Sequence, residues 1–221
     1  MIKGIIFDMY DTTVPLRGYG SYNAKDMAIE ANIDVDIFYR ELNNYESYLS
    51  TGKMEMKDLL RDLGTDEKKI PLLVNKRLEY KKEGFFHLHE EMIPTLKALK
   101  EKGIKIGLLS NCEKEEAIAI KGSIVYPYYD AAVLSYDEGL EKPDPVFYQK
   151  CLDKLSLEAK ECIYIGDGDN HELESAKELG FNVFQAHWYI EKREDYLQKI
   201  KKDFLPVYRP FDLLDLLEEK K

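Results

Sequence analysis

From about residue 85 onward the chain alternates short apolar runs with helical stretches, and this alternation constrains the fold more than any other feature. Strand-like runs lie at Ile104–Leu109, Ala131–Leu134, Cys162–Ile165 and Asn182–Gln185, the last of them closing the predicted sheet. Helical stretches fall between them at Ile93–Lys100, from near Glu113, at Pro145–Leu155 and at His171–Leu179, with Gly103 and Gly180 as stops. One more strand, Lys3–Phe7, opens the chain and ends at Asp8. Strands separated by helices of ten or so residues cannot be joined as tight hairpins, so they run parallel, with helices covering both faces. The expectation is an α/β fold with a doubly wound, parallel, Rossmann-like sheet, closed by an amphipathic helix at Pro210–Leu217.

Residues 16–84 follow a different pattern. Phe38, Leu42, Tyr45 and Leu49 recur at helical spacing and share one face. Ser50-Thr51-Gly52-Lys53 breaks that helix, and a second runs from Glu55 to Leu63. Gly64-Thr65-Asp66-Glu67 reads as a stop and restart, with Thr65 or Asp66 as the N-cap of a third helix running toward Lys82. The predicted organisation is an α/β core of 1–15 and 85–221 carrying an α-helical cap at 16–84. A length of 221 residues suits one domain with such an insertion.

A net charge of −10 speaks against nucleic-acid and membrane-surface roles, which need a basic footprint. An anionic substrate would instead require local positive charge from a metal, a lysine or helix N-termini. The three cysteines, Cys112, Cys151 and Cys162, are an odd number without Cys-x-x-Cys spacing, which indicates neither a disulfide framework nor a zinc site. Cys112 reads as a small buried thiol. No apolar run approaches bilayer-spanning length, and the chain starts directly in a strand-like run; a cytoplasmic location is the expectation.

In open α/β sheets, ligands bind beyond the carboxyl ends of the strands. Asp8, Ser110 and Asp167 all stand at such ends. They belong to four segments: Asp8-Met9-Tyr10-Asp11-Thr12, Leu109-Ser110-Asn111, Lys142-Pro143-Asp144-Pro145, and Gly166-Asp167-Gly168-Asp169-Asn170-His171-Glu172. Together these resemble the four motifs of the haloacid dehalogenase-like (HAD) hydrolase superfamily, over essentially the whole chain.

The resemblance implies a hydrolase in which Asp8 is the nucleophile and forms a covalent aspartyl ester. It implies Mg²⁺ held by Asp8, the Tyr10 backbone carbonyl and Asp167, with Glu172 orienting these ligands from behind. Asp169 is a less well spaced alternative to Glu172. Ser110 and Lys142 would hold the phosphoryl oxygens through a hydroxyl and a point charge, with Asn111 and Thr12 as further substrate contacts. The substrate class implied is a small phosphorylated molecule; no nucleic-acid or membrane partner is expected, and oligomeric state has no signature in the sequence.

The chain departs from the family's phosphatases at one position. Their first motif reads Asp-x-Asp-x-Thr, and its second aspartate serves as general acid and base; here that position is Tyr10. A phenol with a pKa near 10 donates a proton but is a poor base near neutrality. Asp11, its neighbour, is expected to point elsewhere on a chain leaving a strand. Asp-x-Tyr is similar to the family's 2-haloacid dehalogenases, which use an arginine in the cap, and Arg40 lies in the corresponding region. Those enzymes lack the acidic fourth motif that this chain retains. Three readings follow: a Mg²⁺-dependent phosphohydrolase with Tyr10 in place of the acid, a 2-haloacid dehalogenase, or a weakened domain that binds a phosphometabolite or partner.

Overall fold

The computed structural model describes residues 1–16, 22–190, 197 and 199–219. The first strand, β1 (Gly4–Phe7), ends where Asp8 begins. Five helices follow: α1 (Ala24–Ala31), α2 (Val35–Asn44), α3 (Glu46–Ser50), α4 (Met56–Asp62) and α5 (Ile70–Glu83). The chain then alternates as α6 (Met92–Glu101), β2 (Lys105–Ser110), α7 (Lys114–Lys121), β3 (Ala131–Leu134), α8 (Ser135–Glu138), α9 (Pro145–Leu155), β4 (Cys162–Gly166), α10 (Glu172–Glu178), β5 (Asn182–Ala186), β6 (Leu205–Val207) and α11 (Asp212–Glu219).

All described strands are parallel, in the order β3-β2-β1-β4-β5-β6. The chain winds outward from β1 to one edge and then outward from β4 to the other, so the doubly wound arrangement holds. Side chains alternate between two cores, as the pleat requires. Ile5, Phe7, Ile106, Leu108, Ile163 and Ile165 join one cluster with Leu96 and Leu99 of α6 and Ile120 of α7. Ile6, Leu109 and Tyr164 join the other with Phe147 and Tyr148 of α9 and Leu173 of α10. Each such apolar side chain, removed from water, contributes roughly 1.5–3 kcal/mol.

The helical segment has a cluster of its own. Met27, Phe38, Leu49, Met56, Leu59, Leu60, Ile70 and Leu73 pack together, with Leu42 and Tyr45 at the edge. The apolar face inferred from Phe38 to Leu49 is therefore shared by two helices, because the chain bends at Tyr45 between α2 and α3. The restart near Thr65 also differs from expectation. Asp66 caps a turn by accepting from Lys68 N–H, and α5 begins only at Ile70, with Pro71 in its first turn.

The strand at Asn182 is not the last. β6 pairs with β5 at the sheet edge through Leu205, Pro206 and Val207. Three residues with a central proline carry no alternating pattern, and proline is tolerated there because an edge strand has no outer ladder to supply. Among the described residues no helix is long and apolar enough to cross a membrane.

Candidate active site

The carboxyl end of the sheet gathers the motif residues around a cavity of about 220 Å³ lined by Asp8, Tyr10, Asp11, Asn111, Lys142, Asp167 and Glu172. Leu16, Glu46 and Ser50 line its other side. A larger cavity of about 640 Å³, walled by Phe85, Leu88, Ile93 and Ile124, shares none of these residues.

Asp8 leaves β1 with its N–H donating to Ile165 O of the neighbouring β4 at 2.9 Å. Its own carbonyl accepts from the Thr13 hydroxyl at 2.9 Å, so the chain turns back on itself just beyond the strand. Lys142 is set against β2 by Asn111, whose side-chain amide donates to Lys142 O at 3.1 Å and accepts from Lys142 N–H at 2.7 Å. The buried Lys142 ammonium then donates to Asp8 Oδ1 and to Glu172 Oε2, each at 2.5 Å.

Glu172 is held on four sides. Oε2 also accepts from the Tyr164 hydroxyl at 2.7 Å, Oε1 accepts from Gly168 N–H at 3.0 Å, and its backbone carbonyl accepts from the Tyr148 hydroxyl at 3.0 Å. This close packing depends on Gly166: a Cβ there would stand 2.0 Å from Glu172 Oε1. Gly168 has φ +101°, a left-handed conformation that suits glycine, and carries the chain over Glu172.

Asp8, Asp167 and Glu172 are buried and offer oxygens that all lie within 4.8 Å of one another. Burial pushes the Asp8 carboxyl up to about 7; Lys142 opposes that rise and Glu172 adds to it. Burial, followed by Glu172 and Asp169, raises Asp167 well above the usual carboxylate range. Burial acts to lower Lys142, yet Asp8 and Glu172 outweigh it and hold the ammonium charged. Such a cluster is short of positive charge. Its all-oxygen donor set fits a hard divalent cation such as Mg²⁺.

The remaining predicted residues divide. Tyr10 lines the cavity, with its ring 5.5 Å from the Lys81 ammonium of α5. Ser110 is buried at the end of β2, its hydroxyl donating to Asn111 O at 3.2 Å. Thr12 is buried, its carbonyl accepts from Trp188 Nε1–H at 2.8 Å, and its hydroxyl has no hydrogen-bond partner among the described residues. Arg40 is not part of the site: its side chain is 63% exposed on α2 and pairs with Glu41. Cys112 lines the cavity as a buried thiol raised by burial and by Glu116, which suits an inert side chain.

Asp11 does not point away. With φ +54° it lines the cavity, where Oδ1 accepts from Leu16 N–H at 2.8 Å and Oδ2 from Lys199 at 3.3 Å. The alternation rule for strands stops applying once the chain enters that left-handed turn. Asp169 is half exposed and pairs with Lys199 rather than joining Asp8 and Asp167; Glu172 takes that place.

Sequence reasoning missed Lys199, Tyr164 and Gln185. Tyr164 alternates inward on β4 as an ordinary core residue, and Lys199 lies in a stretch with no motif. The Gln185 amide donates to Asp167 O and Lys199 O, each at 2.7 Å; a fully buried glutamine in a strand was the available signal.

The model of the haloacid dehalogenase-like hydrolases matches residues 2–180. A glyceraldehyde 3-phosphate phosphatase of Methanopyrus kandleri is 27% identical over 99% of this chain and 98% of its own length. The pyrophosphatase PpaX of Bacillus cereus is 26% identical over 99% and 97%. Among solved structures, a 2-haloacid dehalogenase from Pseudomonas syringae is 18% identical with a TM-score of 0.65, covering all of both chains. A HAD family enzyme of Bacteroides thetaiotaomicron, in complex with magnesium and inorganic phosphate, is 18% identical with a TM-score of 0.57, covering 84% of this chain and 94% of its own. These two likenesses speak to the fold. With the family match spanning most of the chain, and the motif residues converging at the ends of β1, β2 and β4, the protein belongs to the haloacid dehalogenase-like hydrolases.

Proposed function

We propose that this hydrolase is a Mg²⁺-dependent phosphatase of small phosphomonoesters. The observation that carries the reading is the buried group of Asp8, Asp167 and Glu172, within 4.8 Å of one another, with the Lys142 ammonium between Asp8 and Glu172. The near full-length relatives named as phosphatases support it. The dehalogenase reading needs an arginine at the substrate, and Arg40 faces solvent.

In this reading an Asp8 carboxylate oxygen attacks phosphorus in line, the bond from phosphorus to the leaving oxygen breaks, and Asp8 becomes an aspartyl phosphate. Water then cleaves that acyl phosphate, releasing inorganic phosphate and regenerating Asp8. Asp8, Asp167 and the Tyr10 carbonyl would hold the Mg²⁺, with Glu172 beside them; bound there it would supply positive charge against the phosphoryl oxygens and Asp8. Lys142 contributes fixed positive charge at the phosphoryl group, the Ser110 hydroxyl becomes a donor there on turning from Asn111 O, and Asn111 keeps Lys142 in position. Thr12 adds its hydroxyl to the same end of the site. Tyr10 occupies the position of the usual acid: its phenol can give a proton to the leaving oxygen but takes none from water near pH 7. Aspartyl-phosphate hydrolysis is therefore the slow step.

Residues 16–84 act as a cap on the core of 1–15 and 85–221, and leave room only for a small ester. Support comes from Glu46 and Ser50 on the cavity wall, from the hydroxyls of Ser47 and Ser50 donating to Glu141, and from Glu55 reaching Lys114 and Tyr136. The test is phosphate release from a panel of small phosphomonoesters, with Mg²⁺ and with a chelator, beside halide release from 2-haloacids. Mg²⁺-stimulated phosphate release, abolished in Asp8→Asn, is expected. Full activity in Asp8→Asn, or metal-independent halide release, overturns the reading.

A further inference from the structure

Lys199 is absent from every motif in the chain, yet its ammonium reaches three carboxylates at the edge of the site. It lies 2.6 Å from Asp167 Oδ2, 2.6 Å from Asp169 Oδ2 and 3.3 Å from Asp11 Oδ2. The lysine is held from its backbone as well as drawn in by charge. Gln185, fully buried on β5, donates its amide to Asp167 O and to Lys199 O, and its carbonyl accepts from Lys201 N–H at 2.9 Å. One buried side chain therefore ties the loop after β4 to the chain entering β6. The approach also needs Gly168: a Cβ there would stand 2.9 Å from Gln185 Nε2 and 3.1 Å from Lys201 Cε.

Two of the three acids, Asp11 and Asp169, add negative charge beside the group of Asp8, Asp167 and Glu172. That surplus favours a divalent cation but repels a phosphoryl dianion, and a fixed ammonium on the outer side of Asp167 works against both effects. We propose that Lys199 is a built-in counter-cation of this site, weakening its hold on the divalent metal and strengthening its hold on the phosphate. The inference rests on Asp8, Asp167 and Glu172 being the metal site.

The opposite signs separate this role from bracing. A lysine that only tethered two loops would, on removal, loosen metal and phosphate together. A counter-cation, on removal, tightens one and loosens the other. Asp169→Asn acts in the reverse sense, since it deletes a carboxylate from the same contact; its side chain is 54% exposed, so folding is not at stake.

The experiment is calorimetric titration of the full chain, wild type beside Lys199→Met, Lys199→Arg and Asp169→Asn, first with Mg²⁺ alone and then with inorganic phosphate at saturating Mg²⁺. Lys199→Met is expected to bind Mg²⁺ about tenfold tighter and phosphate about tenfold more weakly, the scale of one partly screened unit charge at close range. Lys199→Arg should stay within about threefold of wild type on both axes, because the charge is kept. Asp169→Asn should weaken Mg²⁺. Parallel loss of both ligands in Lys199→Met, or unchanged affinities, overturns the proposal while leaving the metal site standing. Absence of Mg²⁺ binding in wild type and all variants overturns the metal site and this inference together.

Discussion

Gly166→Ala puts the arrangement of the carboxylates to a quantitative test. The added methyl would stand 2.0 Å from Glu172 Oε1, 2.6 Å from its Cδ and 3.1 Å from Oε2. A glutamate at the surface would swing aside at little cost. Here Oε1 is bound to Gly168 N–H, and Oε2 to Lys142 and the Tyr164 hydroxyl, inside a site where Glu172 is 1% exposed. Moving it breaks at least one hydrogen bond between charged groups, about 1.5–3 kcal/mol, and overpacking adds about 1–3 kcal/mol. The lower chain entropy of alanine in the unfolded state returns only about 0.4–1 kcal/mol. The net expectation is a destabilisation of about 2–5 kcal/mol, read by urea unfolding as a lower midpoint at unchanged slope. The cause is checked on a Glu172→Ala background, where the clash has no partner and Gly166→Ala should cost nothing measurable. A Gly166→Ala variant within about 0.5 kcal/mol of wild type, or an equal cost on both backgrounds, refutes the reasoning.

The other predictions concern the helical segment and position 10. Glu55 sits at the N-cap of α4, and its carboxyl is lowered to about 2, first by hydrogen bonds from Lys114 and Lys57. A depressed carboxylate stabilises the fold above its unfolded pKa of about 4.5 and loses that contribution as pH falls toward about 2. Glu55→Gln should therefore be less stable than wild type by roughly 1 kcal/mol at pH 7, with the gap narrowing at pH 4 and again at pH 3. A gap independent of pH in urea titrations contradicts the ion-pair account. Tyr10→Asp should raise phosphate turnover, and an unchanged or lower rate in a folded variant removes the missing carboxylate as the limiting factor.

Much of the core was legible because its signals are local. Ala131–Leu134 and Pro145–Leu155 coincide with β3 and α9, since apolar runs, a proline at the helix start and flanking breakers all act within a few residues. Asp8, Ser110 and Asp167 could be read as a site because strand ends in a parallel sheet converge. What escaped depends on contacts between distant segments. β6 is three residues long and exists because β5 offers it an edge. Lys199 lies on the chain entering that added strand and is held at the site by the Gln185 amide. Asp11 escaped for a different reason: its left-handed φ takes it out of the strand alternation used to place it.

Position 10 joins these two levels. Its backbone bridges Val14 across the turn, which any residue would allow, while its ring stands against Lys81, whose ammonium pairs with Glu116 of α7 at 2.6 Å. Lys81 is buried on α5, so the tyrosine face helps seat a cationic side chain of that helix beside β1. An aspartate at the same position would face that ammonium across the space the ring fills, and a nearby positive charge lowers a carboxyl pKa. The carboxylate restored by Tyr10→Asp would thus be ionised but of lowered basicity, a weaker base toward the water that cleaves the aspartyl phosphate. Its gain in turnover should stay near tenfold, below the 10²–10⁴-fold typical of a positioned acid-base group. Removing the charge as well, in Tyr10→Asp with Lys81→Met, should release more of that gain, provided Mg²⁺ affinity and folding are unchanged. A double variant no faster than Tyr10→Asp alone would show that Lys81 does not set the strength of the base.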